Sequence, residues 1–270
     1  MAFDKTRIIV SDLHLGDGSR SDDFHKSDEF LKLLDIVEDE AAQLIIAGDL
    51  FELWQSDLER VAFQHSRIIN RLLVLAKDGR LIYLIGNHDH IPFVKYLSQE
   101  LNISLVYEDK DDRIWVEHGN QYNMFNRYKD PRMAVRNRIG RTVSCIIGWL
   151  ERIIHPDFDE WAINALLKRR GLFLKNAALV KNKLTPSSKE YYIRGGDLSE
   201  YEAAALRLIG KGQRIVVFGH THKPALKMLA GGIYANCGCW CGKSNPTYIK
   251  VKKDKIELVD GITHEVIDRA

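Results

Sequence analysis

Arg7-Ile8-Ile9-Val10-Ser11-Asp12-Leu13-His14 carries a short apolar run into a carboxylate and an imidazole two residues apart. The same grammar recurs four more times. Leu44-Ile45-Ile46-Ala47 leads to Gly48-Asp49, and Leu81-Ile82-Tyr83-Leu84-Ile85 leads to Gly86-Asn87-His88-Asp89. Ile114-Trp115-Val116 precedes His118-Gly119, and Arg214-Ile215-Val216-Val217-Phe218 precedes Gly219-His220-Thr221-His222. Short apolar runs closed by turn residues read as buried strands. In open α/β sheets, ligands gather in the crevice beyond the carboxyl ends of the strands. Asp, Asn and His at five such ends therefore predict one shared site.

The spacing between these runs fixes the fold class. Up to His118 the order reads strand, helix, strand, helix, strand, helix, then a pair of strands. The first helix is expected over 27–42, with Phe30, Leu34, Val37 and Ala41 on one face. The second is expected over 58–76, carrying Val61, Ile68, Ile69, Leu72 and Leu75. Beyond Gly219 the texture changes to hairpins, 225–229 with 233–236 and 248–252 with 255–259. The expectation is an α/β fold of two packed mixed β-sheets flanked by helices.

The whole chain, 1–270, reads as one domain with a helical, cap-like insertion at about 123–198. Ser199 and Glu202 form a capping box for the helix that follows, and Gly210 supplies its stop. Within the insertion, 127–183 holds 13 Lys/Arg against 5 Asp/Glu, so the rest of the chain is net acidic. Its basic residues alternate with apolar clusters such as Ile146-Ile147, Trp149-Leu150 and Leu172-Phe173-Leu174. That combination fits a cap over an anionic, partly greasy ligand, a membrane-surface element, or a helical subdomain with its own core.

Composition excludes several classes. The 270 residues are 45% hydrophobic with a formal net charge of +2, so bulk charge selects no partner. Four cysteines, three of them clustered, do not make a secreted disulfide framework. Met1 to Arg7 leads straight into the first strand without an apolar signal region, and no long uncharged apolar stretch suits a membrane span. A cytoplasmic protein, with peripheral contact at the inner membrane through the basic insertion, is the expectation.

The residue types at the five ends point to cations. Asp12 and His14 can face one side of a strand end and share one ion, and Asp49 is placed to bridge two. Asn87 offers an amide oxygen; His118, His220 and His222 offer imidazole nitrogens. Carboxylate, imidazole and amide together suit manganese, iron or zinc better than calcium or a pure magnesium site. Two cations about 3.5 Å apart clamp the attacking and leaving oxygens of an in-line displacement at phosphorus and make hydroxide available near neutral pH. His90 and Asn120 adjoin these motifs as substrate contacts or turn formers. His25 and His65 read as ordinary surface residues.

At this point the chain resembles the calcineurin-like metallophosphoesterase superfamily, whose pattern is D-x-H, G-D, G-N-H-D, H and G-H-x-H. All five blocks are present in order. The resemblance implies a four-layer fold and a binuclear hydrolase. It implies one divalent ion, manganese first, on Asp12, His14, Asp49 and His222, and a second on Asp49, Asn87, His118 and His220. It also assigns His88 to the leaving group, as general acid or as a cation facing the phosphoryl oxygens, with Asp89 orienting it.

A finer resemblance bears on substrate. Gly48-Asp49-Leu50-Phe51-Glu52-Leu53-Trp54, together with His118-Gly119-Asn120-Gln121-Tyr122 and the insertion behind it, looks like the UDP-2,3-diacylglucosamine pyrophosphatase branch. That implies an anionic, lipid-linked phosphate substrate of lipid A biosynthesis, with acyl chains received by the helical insertion. One departure is His88, where well-known members of that branch carry Arg. A generic phosphatase, phosphodiesterase or nuclease is the alternative. Nucleic acid is disfavoured because the basic residues alternate with aliphatic clusters, not stacking aromatics. A non-enzymatic scaffold is disfavoured because every block is complete. Cys237, Cys239 and Cys241 lack zinc-finger spacing, and Asn236-Cys237-Gly238-Cys239-Trp240 resembles the family's N-x-G-S-W segment, read as a buried strand. Cys145 reads as core.

Overall fold

The computed structural model describes residues 5–19, 22–53, 56, 58–89, 104–106, 108–122, 199–253 and 255–270. The predicted helix between the third strand and the strand pair, the insertion at 123–198, Cys145, Trp54 and His90 lie outside them. In chain order the elements are β1 (Arg7–Val10), α1 (Ser27–Asp39), β2 (Gln43–Ala47), α2 (Leu58–Gln64), α3 (Ser66–Lys77), β3 (Leu81–Leu84), β4 (Ser104–Val106), β5 (Glu108–Lys110) and β6 (Ile114–Glu117). A 3-10 turn at Asn120–Tyr122 follows. The chain resumes with α4 (Glu200–Ile209), β7 (Ile215–Phe218), β8 (Ala225–Leu229), β9 (Gly232–Asn236), β10 (Thr247–Lys252), β11 (Lys255–Asp260) and β12 (Val266–Arg269).

Two mixed sheets form, a seven-stranded one ordered β12-β11-β10-β1-β2-β3-β4 and a five-stranded one ordered β5-β6-β7-β9-β8. β1 through β4 run parallel, as do β6, β7 and β9, while the remaining pairings are antiparallel. Side chains alternate across each strand, so a continuous apolar run covers two faces at once. Ile9, Ile45, Ala47 and Leu84 meet Val116, Val217 and Ala235 in the layer between the sheets. Their neighbours Ile8, Val10, Leu44 and Ile46 face outward onto Phe30, Leu34, Ile68 and Leu72 of α1 and α3. On the far side, Val216, Phe218 and Tyr234 pack against Ala205, Leu208 and Ile209 of α4. Helix, sheet, sheet, helix is the expected four-layer order.

The departures are local and have physical reasons. The single helix expected over 58–76 breaks at His65, whose buried ring is drawn inward so that Nε2 meets the Gly16 carbonyl at 2.9 Å. His65 is thus a core residue and not a surface one, while His25 is exposed as expected. α1 ends at Asp39, and Ala41 lies in an exposed left-handed turn (φ 48°); Ala42 takes the buried place. β12 carries no alternating pattern, because it is an edge strand with every side chain exposed. β9 stops at Asn236, so the cysteines are buried in the loop beyond it. Gly238 turns that loop at φ 72°, with its N–H held at 3.1 Å by Asn236 Oδ1.

The Ser199–Glu202 capping box is formed in both directions, Glu202 N–H to Ser199 Oγ at 3.2 Å and Ser199 N–H to Glu202 Oε2 at 2.7 Å. Gly210 stays right-handed at the C-terminus, and the left-handed turn falls at Gly212 (φ 107°). α4 is the only described helix on the outer face of the five-stranded sheet, so its cap bears on the whole layer. Ser199→Ala is expected to cost about 1 kcal/mol of unfolding free energy, read as a lower urea midpoint at unchanged slope.

Candidate metal centre

Every predicted site residue inside the described segments lies just beyond a parallel strand. Asp12 and His14 follow β1, Asp49 follows β2, and Asn87, His88 and Asp89 follow β3; His118 follows β6, and His220 and His222 follow β7. Five of them hold left-handed backbone: Asp12 (φ 55°), His14 (51°), Asp49 (54°), His220 (65°) and His222 (57°). Non-glycine residues adopt this region rarely, at a cost on the order of 1 kcal/mol each, with Asp and His among the more tolerant. The turn redirects each side chain at the point where the strand ends. Backbone bonds then lock the loops together, Asp12 N–H to Gly48 O (3.1 Å) and His14 N–H to Asp49 O (3.0 Å).

Two motif glycines exist for close approach. A Cβ on Gly86 would sit 2.0 Å from Asp49 Oδ1, and one on Gly219 would sit 1.9 Å from Ser11 Oγ and 2.8 Å from Asp12 Oδ2. The glycine-bearing loops pack directly on the two site carboxylates.

Asp49 is the centre of the cluster. Its Oδ1 accepts the His88 N–H at 2.8 Å, while Oδ2 lies 3.1 Å from His118 Nε2 and 3.9 Å from His14 Nε2. Asp12 mirrors it. Asp12 Oδ2 accepts the His220 N–H (2.8 Å) and the Ser11 hydroxyl (2.5 Å), and Oδ1 lies 3.2 Å from His222 Nε2 and 3.8 Å from His14 Nε2. The His118 and His220 rings stand edge to face at 5.1 Å, and those of His14 and His222 at 5.3 Å.

Tautomers test whether cations fit here. The Ala47 carbonyl, 2.8 Å from His118 Nδ1, can only accept, so Nδ1 carries a proton. In the neutral ring, Nε2 then aims a lone pair at two oxygens, Asn87 Oδ1 and Asp49 Oδ2, both 3.1 Å away. His14 repeats the arrangement. Its Nδ1 donates to Glu52 Oε2 at 3.0 Å, leaving Nε2 buried without a hydrogen-bond partner, 3.8 Å from Asp12 Oδ1. Buried lone pairs converging on one another require a shared positive centre. Of the four three-residue groups among the described residues whose ligand atoms lie mutually within 4.8 Å, two contain Asp49: Asp12, His14 and Asp49, and Asp49, His118 and His220. The donor set fits divalent cations, and Asp49 belongs to both groups.

The family model for calcineurin-like phosphoesterases matches residues 6–224. The chain belongs to this family. Membership makes it a phosphoester-hydrolysing enzyme and implies divalent metal ions. Among curated relatives, the UDP-2,3-diacylglucosamine hydrolase of Psychromonas ingrahamii is 26% identical over 264 residues, covering 93% of this chain and 96% of that one. The protein of the same name from Pseudomonas putida is 29% identical over 231 residues, covering 82% and 84%. Among solved structures, a dimetal phosphatase from Danio rerio superposes with a TM-score of 0.47 at 13% identity, covering 95% of this chain and 96% of that one.

In this phosphoesterase one functional neighbour escaped the motif reading. Glu52 Oε2 meets both His14 Nδ1 (3.0 Å) and His88 Nδ1 (2.6 Å), so a single carboxylate oxygen holds two imidazoles. Its sequence signal was its place in the Gly48–Trp54 stretch that carries the finer resemblance, where it had no role of its own. Asp89, expected to orient His88, is buried and accepts from Gly86 N–H (2.7 Å), Asp49 N–H (2.9 Å) and the Tyr83 hydroxyl. It holds the turn that carries His88, and the acid against the His88 ring is Glu52. Burial, then the Asp49 charge, lift the Asp89 carboxyl to about 6.

Electrostatics follow from crowding. Burial opposes the charged form of His118, but Asp49 and Asp12 outweigh it and hold its pKa up at about 9. Burial likewise opposes the charged form of His222, and the bond to Asp12 brings it to about 9. Burial and the His118 charge push His220 down to about 4. Burial would raise Asp49, yet the surrounding imidazoles, His118 first, draw it down to about 2. Protons on His118 and His222 thus compete with cations for the same lone pairs. Both groups release protons as pH rises from the ordinary imidazole value of 6.5 towards about 9, so divalent affinity is expected to rise across that window. Isothermal titration with Mn(II) at a series of pH values checks the sign.

Proposed function

We propose that the chain is a binuclear metal-dependent phosphohydrolase that cleaves the pyrophosphate bond of a nucleotide-linked diacyl sugar of the UDP-2,3-diacylglucosamine type. The observation carrying the binuclear reading is Asp49, shared by two compact ligand groups. Asp12, His14, Asp49 and His222 would hold one cation, and Asp49, Asn87, His118 and His220 the other. Manganese leads, with iron and zinc as the other ions suited to mixed carboxylate, imidazole and amide donors. When bound, the cations supply Lewis acidity at the phosphoryl group and activate water for in-line attack.

The chain's own residues do the rest. His118 and His14 present Nε2 inward because Ala47 O and Glu52 take their Nδ1 protons. Glu52 also fixes the His88 ring through Nδ1, and in its imidazolium form, with both nitrogens protonated, His88 would donate from Nε2 to the leaving phosphate oxygen. Asp89 keeps the loop from β3 to His88 against Asp49 through two backbone N–H bonds.

The substrate reading rests on the relatives' names and on where the basic insertion leaves the fold. β6 and β7 are adjacent and parallel, so residues 123–198 and α4 are inserted between neighbouring strands. Both described flanks of the insertion touch the site. The 3-10 turn after His118 carries Tyr122 onto Phe218 (5.2 Å between rings), and Tyr201 of α4 faces the His220 ring at 6.3 Å. A basic, apolar segment rooted there is proposed to receive the acyl chains, to contact the membrane surface on the cytoplasmic side and to place the enzyme in lipid A synthesis.

The test is hydrolysis with Mn(II) of UDP-diacylglucosamine, nucleotide sugars, aryl phosphates and single-stranded DNA. The expected preference is the diacyl nucleotide sugar; a preference for DNA overturns the substrate reading. Asp49→Ala is expected to abolish both metal occupancy and turnover. His88→Ala is expected to retain metal and lose about 10²- to 10⁴-fold in rate, most for poor leaving groups. Metal analysis beside kinetics separates the two roles.

A further inference from the structure

The loop after β9 brings sulfur to the edge of the proposed metal centre. Cys241 is buried, and its Sγ lies 3.8 Å from Nδ1 of His222, whose Nε2 points at Asp12. One ring nitrogen each of His14 and His222 and the Cys241 Sγ lie within 4.8 Å of one another. The same corner holds His14 Nε2, one of the buried side-chain atoms among the described residues that lack a hydrogen-bond partner. A tetrahedral zinc ion with nitrogen and sulfur ligands separates its donor atoms by roughly 3.4–3.6 Å. Closing this group onto a cation therefore takes a movement on the order of 1 Å, within reach of side-chain torsions.

The loop's construction aims the thiol there. Trp240 N–H donates to Asp12 O at 3.0 Å, tying the residue before Cys241 to the β1 loop that carries Asp12 and His14. The Lys26 ammonium holds the Trp240 and Gly242 carbonyls at 3.2 and 2.6 Å, gripping the backbone on both sides of Cys241. Cys237 faces the apolar layer between the sheets instead, while Cys239 Sγ reaches the Cys241 carbonyl at 3.7 Å and also bonds the His222 and Cys241 side chains.

We propose that Cys241 is a sulfur ligand together with His14 and His222, the His222 ring binding through the Nδ1 that faces the thiol, so that this corner takes a thiophilic divalent ion, zinc or cadmium, with sulfur coordination. This rests on the binuclear reading above and sharpens it: the two positions differ in chemistry. Thiolate selects soft and borderline ions, whereas the Asn87 side offers only oxygen and nitrogen.

The test is titration of the metal-stripped full chain with Cd(II), following the sulfur-to-cadmium charge-transfer absorption in the near ultraviolet, with Mn(II) binding followed separately by electron paramagnetic resonance. The wild type is expected to give one such band per chain, and Cys237→Ala to keep it. Cys241→Ser and Cys241→Ala are expected to lose it, while Mn(II) binding in both reports an intact fold and site. Wild type that binds two Mn(II) but gives no band, or a band that survives in both Cys241 variants, overturns the proposal and leaves the binuclear reading standing. Wild type that binds neither ion overturns both.

Discussion

Burying several carboxylates within a few ångströms of one another is the constraint around which this molecule is built. Asp12 and Asp49 are almost fully buried, and a buried charge is tolerated only when paired and hydrogen-bonded. Asp49 meets that demand from several elements at once: a backbone N–H from the His88 loop, the His118 imidazole, and the Gly86 turn packed against its Oδ1. Asp12 does so with the His220 N–H, the Ser11 hydroxyl and the His222 ring. These partners come from both sheets. The two sheets are therefore joined at this end by charge and hydrogen bonds, and elsewhere by the apolar layer of Ile9, Ile45, Val116 and Val217.

Local backbone serves the same constraint. The left-handed turns at Asp12, His14, Asp49, His220 and His222 place five polar side chains at the strand ends, where a continued extended chain would send alternate ones into the apolar layers. Such conformations persist only when the surroundings over-determine them. Here the surroundings are the strands, whose fully buried Ile8, Ile9, Val10, Ile45 and Ile46 fix the register of everything beyond them. The apolar core thus supplies the free energy that holds a polar, strained cluster in place.

Strand ends were legible in the sequence because apolar runs and turn residues are short-range signals, and each site residue sits within a few positions of its strand. The capping box of α4 was legible for the same reason. What resisted reading depends on contacts far along the chain. His65 looked like a helical surface residue, and only the Gly16 carbonyl, 49 residues away, draws it inside and divides the helix. Glu52 stood in the stretch that carried the finer resemblance, but its role was not legible, because its partners are His14 and His88, 38 and 36 residues away. The cysteine loop failed differently: alternate spacing suggests a strand, but Asn236 binds Gly219 O and Gly238 N–H with one side chain and bends the chain out of the sheet.

The topology also explains why one centre can serve different substrates. β6 and β7 pair directly, residue 114 with 215 through residue 117 with 218, so their register is set by the strands themselves. The insertion nevertheless starts a few residues after His118 and gives way to α4, whose Tyr201 faces the His220 ring at 6.3 Å. A segment placed there alters what reaches the reacting phosphate while leaving the strand register, the left-handed turns and the carboxylate pairings untouched. Phosphoester hydrolysis belongs to the family that the strand-end residues mark, and the insertion leaves the sheet beside those ends.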